Sequence, residues 1–434
     1  MSKITITATG DSFMTRPVPE GGYQGFEEVR EKVLEGDIRF NNLEFTAHDL
    51  EGTAASASGG TWAMSEPEIL DELQKYGFNA YNFANNHTLD YGEDGLLATI
   101  RHLDERNMLN FGAGKDLRAA SAPVYMDCKG VKAAFIGLSA SFNAFNPASN
   151  ATEDIPGRPG LNPLRHRTEF HVTPDKIEFL RDLEDKIDIN CERNYSISNG
   201  YIAPDRPGRY SFGGISFVED ESCFKKTIPD ARDVARTVAG IKEARDNGAE
   251  LVIISVHAHG FDGRINTVPS EFIVDFCRSC IDSGADMILG HGPHELRGLE
   301  IYKGKPIFYS LGNFVFQTET VKLQPAEAYE NMGLPLTSTV KELMDLRNGC
   351  GTRGYLAIPP IWISVIAAID FEDGKTSAIR LYPIWLDGIG NPYDKIGWPH
   401  LCDDDKVLRY FEKLSEPFGT SFDYDGCCAS VRLK

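Results

Sequence analysis

The feature that most constrains this chain is the alternation of two periodicities through its first 140 residues, where short apolar strands are each followed by a helix-patterned segment. KITITATGD reads as a strand, FEEVREKVLEG as a helix, DIRFNNLEF as a strand and SEPEILDELQKYG as a helix, with a Ser65 to Glu68 capping box and a stop at Gly77. AYNFANN is the next strand, DYGEDGLLATIRHLDERN a helix, NFGAG a short strand and VKAAFIGLSA a fully apolar one. Strands that are apolar on both sides belong in a sheet covered on both faces.

The alternation breaks over residues 141–215, which are rich in Asn, Pro, Gly and Arg and contain one clear helix starting at Thr173-Pro174. It resumes with TIPDARDVARTVAGIKEARDNG as a helix, LVIISVHAHG as a strand, PSEFIVDFCRSCIDSG as a helix and MILGHG as a strand. Two hairpins follow, turning at Lys303-Gly304 and at Asp373-Gly374, with a second irregular stretch at 317–360 between them. The expected architecture is α/β: two mixed sheets packed as a sandwich with helices outside. One unit is expected over residues 1–388, with insertions at about 141–215 and 317–360, and residues 389–434 as an extension packing on it.

Polar residues recur at the C-terminal ends of these strands, where open α/β sheets place their ligands. Asp11 follows the first, Asn42 and Glu44 end the second, Asn86 and His87 follow the third, His257 and His259 end a later one, and His291 and His294 follow the next. Crowded together without compensation, such groups would repel one another or cost several kcal/mol each to bury. A divalent cation is the economical explanation. Each residue alone has a plainer use: Asp11 fits a turn, Asn85-Asn86 fits a turn, and Asp90 with Glu93 fits a helix cap. Period 2 puts His257 and His259 on one face, and GHGPH fixes a tight loop whose two imidazoles can converge.

The segments TATGDSFM, NNLEF, NFANNHTLDYGEDGL, NFGAGKD, VHAHG and ILGHGPHELRGLEIYKGKPIFYSLGNFVF resemble the CapA-type branch (capsule or poly-γ-glutamate biosynthesis) of the calcineurin-like metallophosphoesterase superfamily. The resemblance covers most of the chain. It implies the calcineurin-like metallophosphatase sandwich, one or two divalent metal ions, and a site at one edge. Carried over residue by residue, it makes Asp11, Glu44, Asn86, His257 and His294 metal ligands and His87 the general acid, with His259 an added imidazole. Two departures accompany it. Phe13 stands where the superfamily pattern Asp-x-His has its histidine, so one metal position has lost a ligand. The His-Pro-His of the family appears as Gly292-Pro293-His294, with His291 displaced by one place.

Three functions follow as expectations. The first is a metal-dependent hydrolase acting on a phosphoester or amide bond. The second is a peptide epimerase similar to CapA-like proteins of lasso-peptide pathways, in which His87 with Asp90 and the facing His291 and His294 work from opposite sides of a carbon acid. The third is a binding or assembly protein. Carboxylate with imidazole suits Mn, Fe or Zn, and a more oxygen-rich site suits Ca or Mg. Arg165 and Arg167, in a cluster with Arg158, Arg206 and Arg209, mark a candidate site for an anionic small molecule or peptide, guanidinium groups being suited to carboxylates and phosphates. With 64 acidic residues against 44 basic ones, neither nucleic acid nor an anionic membrane is expected as a partner. The opening MSKITITATGD lacks an apolar signal region, no apolar run reaches the roughly 20 residues of a bilayer span, and nine scattered cysteines suit a reducing, cytoplasmic setting.

Overall fold

The computed structural model describes residues 3–388 and 390–433. Its first strand, Lys3–Phe13, organises the larger sheet. It pairs in parallel with Ile38–Leu43, which continues to Ala80–Asn82 and Asn110–Phe111, and antiparallel with Ile363–Glu372, which continues to Lys375–Leu386. The second sheet runs in the order Leu296–Tyr302, Lys305–Leu311, Met287–His291, Leu251–His257, Val131–Ser139 and Val124–Cys128, with its inner four strands parallel. Parallel neighbours end at the same edge, so the strand order alone brings several C-terminal ends together.

The two sheets pack face to face through one apolar layer. Ile4, Ile6 and Ala8 alternate inward from the first strand and meet Phe40, Phe111, Phe135, Leu251, Ile253, Leu289 and Phe308. Each buried Phe, Leu or Ile there contributes about 1.5–3 kcal/mol relative to exposure. On the outer side of the larger sheet, helices Phe26–Leu34 and Glu68–Gln74 bury Val29, Val33, Ile69, Leu70 and Leu73. Helices Ala231–Asp246 and Glu271–Asp282 cover the other sheet with Ile241, Phe272, Phe276, Cys277 and Cys280. The sandwich of mixed sheets with helices outside is the expected fold, and Cys277 and Cys280 are core thiols.

Both expected hairpins form at the expected turns. Lys303-Gly304 and Asp373-Gly374 all have positive φ, between 51° and 78°, the geometry that matches the twist of a tight two-residue connection. The Ser65 to Glu68 capping box does not form, because Ser65 Oγ donates to Met14 O at 2.6 Å and helix Glu68–Gln74 has no side-chain cap. The region expected to be irregular over 141–215 is more ordered than its composition implies. Strands Arg209–Phe212, Ile215–Glu219, His166–Val172 and Phe224–Pro229 make a separate four-stranded sheet that extends past residue 215, beside helices Pro174–Ile187 and Cys191–Ser198. Beyond residue 398, Pro399–Leu401 and Cys428–Val431 add to Lys375–Leu386, so this segment is woven into the larger sheet. Among the described residues, no helix is long and apolar enough to cross a membrane.

Candidate metal centre

Sheet register sets the site. Asp11 lies opposite Asn42 on one side and Asn313 on the other, Asn42 lies opposite Asn82, and His257 lies opposite both His291 and Ser139. The register shifts around Asp11 on both of its parallel neighbours, and such an irregularity re-aims a side chain at a strand end. An amide relay holds the carboxylate: Asn82 Nδ2 donates to Asn42 Oδ1 at 2.7 Å, Asn42 Nδ2 donates to Asp11 Oδ1 at 2.8 Å, and the Gly292 N–H donates to Asp11 Oδ2 at 2.9 Å.

Around this anchor stand two groups, each able to hold a cation: Asp11 with His257 and His291, and Glu44 with His259 and His294. They are joined by imidazoles that face both carboxylates. His257 lies 3.8 Å from Asp11 through Nδ1 and 3.6 Å from Glu44 through Nε2. His294 lies 3.7 Å from Asp11 through Nδ1 and 3.7 Å from Glu44 through Nε2. Asn86 Oδ1 sits 2.7 Å from His257 Nε2. The set of residues anticipated from the sequence as Asp11, Glu44, Asn86, His257, His259 and His294 therefore shares one place.

Burial dominates the electrostatics. Loss of water pushes the Asp11 carboxyl up to about 7, against the opposing hydrogen bonds from Gly292 and Asn42. Glu44 is driven well above the usual carboxylate range, first by burial and then by the charges of Asp11 and Asp90. Burial lowers His291 to about 3 and His294 to about 4, and holds His257 and His259 well below the ordinary imidazole value. Neutral imidazoles with free lone pairs are what a metal ion requires of its ligands. One observation tests the fit directly: both Glu44 oxygens are fully buried and accept no hydrogen bond among the described residues. A buried carboxylate left unpaired costs several kcal/mol, and a cation held between Glu44 and Asp11 removes that cost. The residues present fit a divalent ion.

Beside this cluster, His87 and Asp90 form a dyad. His87 Nδ1 lies 2.7 Å from Asp90 Oδ2, the Ala63 N–H donates to the same oxygen at 2.7 Å, and the His87 ring meets Phe13 edge-on with centroids 5.4 Å apart. Asp90 does not cap the following helix, whose N-cap is Tyr91 without a side-chain bond. Burial raises the Asp90 carboxyl, with the charge of His87 opposing.

Two expectations need correction. His291 is not an open acid/base group: Ser255 Oγ lies 2.7 Å from its Nε2, and its Nδ1 is turned to Asp11 and His257, 3.7 and 3.0 Å away, within the group able to hold a cation. Arg165 and Arg167 are not free to bind an anion there. Arg165 Nη1 donates to Asp233 Oδ1 at 2.9 Å just before the separate small sheet begins, and Arg167 Nε, in its strand His166–Val172, donates to Glu169 Oε1 at 3.1 Å.

Sequence reasoning also missed two supporting residues. Asn313 Oδ1 lies 2.9 Å from His294 Nδ1 while Asn313 Nδ2 donates to His294 O at 3.2 Å, which holds His294 at φ 60°. A left-handed non-glycine residue costs on the order of 1–3 kcal/mol and persists where its surroundings impose it. Arg297, fully buried, donates to the carbonyls of Ala258, His259, Gly260 and Asn266 and to Asn266 Oδ1, fixing the loop that carries His259. Burial pulls its guanidinium down to about 9. Both residues lie inside the long segment 288–316, and their position there was the available signal.

A helix-flanked sandwich with carboxylates, amides and imidazoles gathered at one strand edge defines the calcineurin-like phosphoesterase class. Within it, the chain belongs to the bacterial capsule synthesis protein family PGA_cap, whose family model matches residues 5–318. It is 31% identical to the uncharacterized protein y4sH of Sinorhizobium fredii over 441 aligned residues, 99% of this chain and 93% of that one. It is 25% identical to the capsule biosynthesis protein CapA of Bacillus anthracis over 321 residues, 72% of this chain and 60% of the relative. Among solved structures, the calcineurin-like phosphoesterase YfkN from Bacillus subtilis is similar at 14% identity and a TM-score of 0.34, with 86% of this chain and 87% of that one covered.

Proposed function

We propose that this protein is a metal-dependent hydrolase that cleaves a phosphoester or amide bond in an anionic or peptide-like substrate. The observation that carries this reading is Glu44, a buried carboxylate without a hydrogen-bond donor among the described residues, facing imidazoles that also face Asp11. Asp11, Glu44, Asn86, His257, His259 and His294 would hold the ion, and their mixture of carboxylate, amide and imidazole suits Mn, Fe or Zn. When bound, a divalent ion supplies Lewis acidity that polarises the scissile group and acidifies water.

The chain's own residues do the rest. Asn42 and the Gly292 N–H fix the orientation of Asp11. Asp90 accepts from Nδ1–H of His87 and so favours the doubly protonated ring, whose Nε2–H can pass to the leaving atom and avoid expelling an unstable anion. The low dielectric of the buried cluster strengthens each of these interactions.

Hydrolysis is favoured over epimerisation by the second imidazole that epimerisation needs. His87 is backed by a carboxylate, whereas His291 is closed off by Ser255 and His257, and His294 is backed by the amide of Asn313. A protein kept for binding or assembly alone has no use for the His87–Asp90 dyad.

Relatives named for capsule and PGA biosynthesis direct the first assays to acidic peptides as well as phosphoesters. The test is elemental analysis of the purified protein after manganese, iron or zinc loading, followed by turnover of p-nitrophenyl phosphate, bis-p-nitrophenyl phosphate and glutamyl peptides. Stoichiometric metal, activity lost to EDTA and loss in Asp11→Asn are expected. Turnover indifferent to both EDTA and Asp11→Asn refutes the reading.

A further inference from the structure

The segment after the family-model span, residues 319–362, packs against residues of the centre, and two of its polar side chains, Tyr355 and Arg347, make no ion pair among the described residues. Tyr355 lies in the turn Gly354–Ala357. Its ring is clamped edge-on between His294 and Phe316, with centroids 5.3 and 5.2 Å away, and Trp362 Nε1 donates to its carbonyl at 3.0 Å. The backbone and ring are thus fixed, yet the hydroxyl forms no hydrogen bond among the described residues. Tyr355 is only partly buried, so this O–H is left to water or to a ligand that enters. The turn that carries Tyr355 packs against the helix that carries Arg347, so the two side chains stand on neighbouring elements.

Arg347 ends the helix Val340–Asn348. It makes no ion pair among the described residues; its guanidinium donates to Thr61 Oγ1, and Glu319, whose carboxylate feels its charge, is bonded to Asn348 Nδ2 instead. The loop it reaches lies directly on the site. Gly59 O is 3.5 Å from Asn86 Nδ2, and a Cβ at Gly59 would fall 2.0 Å from that nitrogen, so only glycine lets the loop lie there. Arg347 Nη2 lies 3.5 Å from where a side chain at Gly60 would begin.

An anionic substrate approaching a protein of net charge −20, and a cluster containing Asp11, Glu44 and Asp90, needs a cation at the entrance. Arg297 is enclosed and saturated by carbonyls, and Arg165 and Arg167 are paired. We infer that Arg347 and Tyr355 form the oxyanion subsite of this centre, Arg347 taking a carboxylate or phosphate of the substrate and Tyr355 donating its O–H to the same group. This inference rests on the hydrolase reading for its role in turnover, but not for binding. Both residues lie beyond the span of the family model, residues 5–318, in a stretch that still aligns with the 31% identical relative.

The test is calorimetric titration of inorganic phosphate and of glutarate into the manganese-loaded full chain, with metal content and thermal midpoint measured on the same samples. Arg347→Gln is expected to weaken one of the two ligands tenfold or more and to flatten its salt dependence. Arg347→Lys should recover part of the loss, and Tyr355→Phe should weaken the same ligand threefold or more, all with metal content and midpoint unchanged. The ligand affected tells phosphate from carboxylate. Wild-type affinity for both ligands in the variants, no affinity for either in the wild type, or loss of affinity only together with metal overturns the inference. Turnover indifferent to Asp11→Asn, with phosphate or glutarate binding still dependent on Arg347, would instead sink the hydrolase reading and leave the subsite standing.

Discussion

Replacing Arg297 tests whether the imidazole loop is held from behind. Its side chain donates at 2.8 Å to Asn266 O, 3.2 Å to Ala258 O, 2.9 Å to Gly260 O, 2.9 Å to His259 O and 3.0 Å to Asn266 Oδ1. Every acceptor is neutral, so the guanidinium's own desolvation is offset by hydrogen bonds alone. Arg297→Lys keeps the charge but brings three donors in place of five. Losing at least two bonds to a charged donor, each worth about 1.5–3 kcal/mol, sets the expected loss near 3 kcal/mol. Arg297→Met removes the buried charge, which recovers some desolvation, but strands four carbonyls; we expect about 3–5 kcal/mol. At roughly 1 °C per kcal/mol for a chain of this size, the two variants should unfold about 3–5 °C below wild type in scanning calorimetry. Because the loop carries His259, both should also take up manganese more weakly. Variants that unfold within about 1 °C of wild type and load metal normally would show that the carbonyls find water without cost and that Arg297 holds nothing.

His87→Gln and Asp90→Asn should each lower kcat by about 10²–10⁴-fold with KM and metal content little changed, because proton delivery rather than binding is removed; an equal loss in metal content would assign the dyad to the ion instead. Asp370 accepts from Arg380 at 2.8 and 3.0 Å and from Thr5 Oγ1 at 2.9 Å, which hold its carboxyl down at about 2. A depressed acid stabilises the fold above its unfolded value near 4 and loses that contribution as pH falls toward 2, so Asp370→Asn should cost about 2 kcal/mol in urea denaturation at pH 7 and progressively less below pH 4; a penalty that does not change with pH would point to packing. Asn313→Ala should free His294 from its left-handed backbone and cost metal affinity about tenfold or more by competition titration, as loss of a partner behind a ligand does; unchanged affinity would mean the loop is rigid without it.

The strands of the sandwich were legible because their signal is local. Ile4, Ile6 and Ala8 alternate, the parallel strands are apolar on both faces, and the Lys303-Gly304 and Asp373-Gly374 turns are marked by residues that tolerate positive φ. The donors at the strand ends were legible because their types do not suit a core. Three kinds of feature were not. The small sheet His166–Val172 to Phe224–Pro229 is exposed on much of its surface, so its strands lack strong periodicity. Strands such as Pro399–Leu401 and Phe422–Asp425 are short and exist because Lys375–Leu386 and Cys428–Val431 offer edges. Which charges pair is set by tertiary contact: nothing around Arg165 in the chain announces Asp233, and nothing around His291 announces Ser255.

The donors of the centre sit on strand ends and the short turns that follow them, locked by in-register pairing, whereas Tyr355 and Arg347 sit on a separate stretch that only leans over them. Chemistry and selectivity are thereby written in different parts of the chain. A different overhanging stretch on the same floor would change what is accepted without moving the donors beneath it.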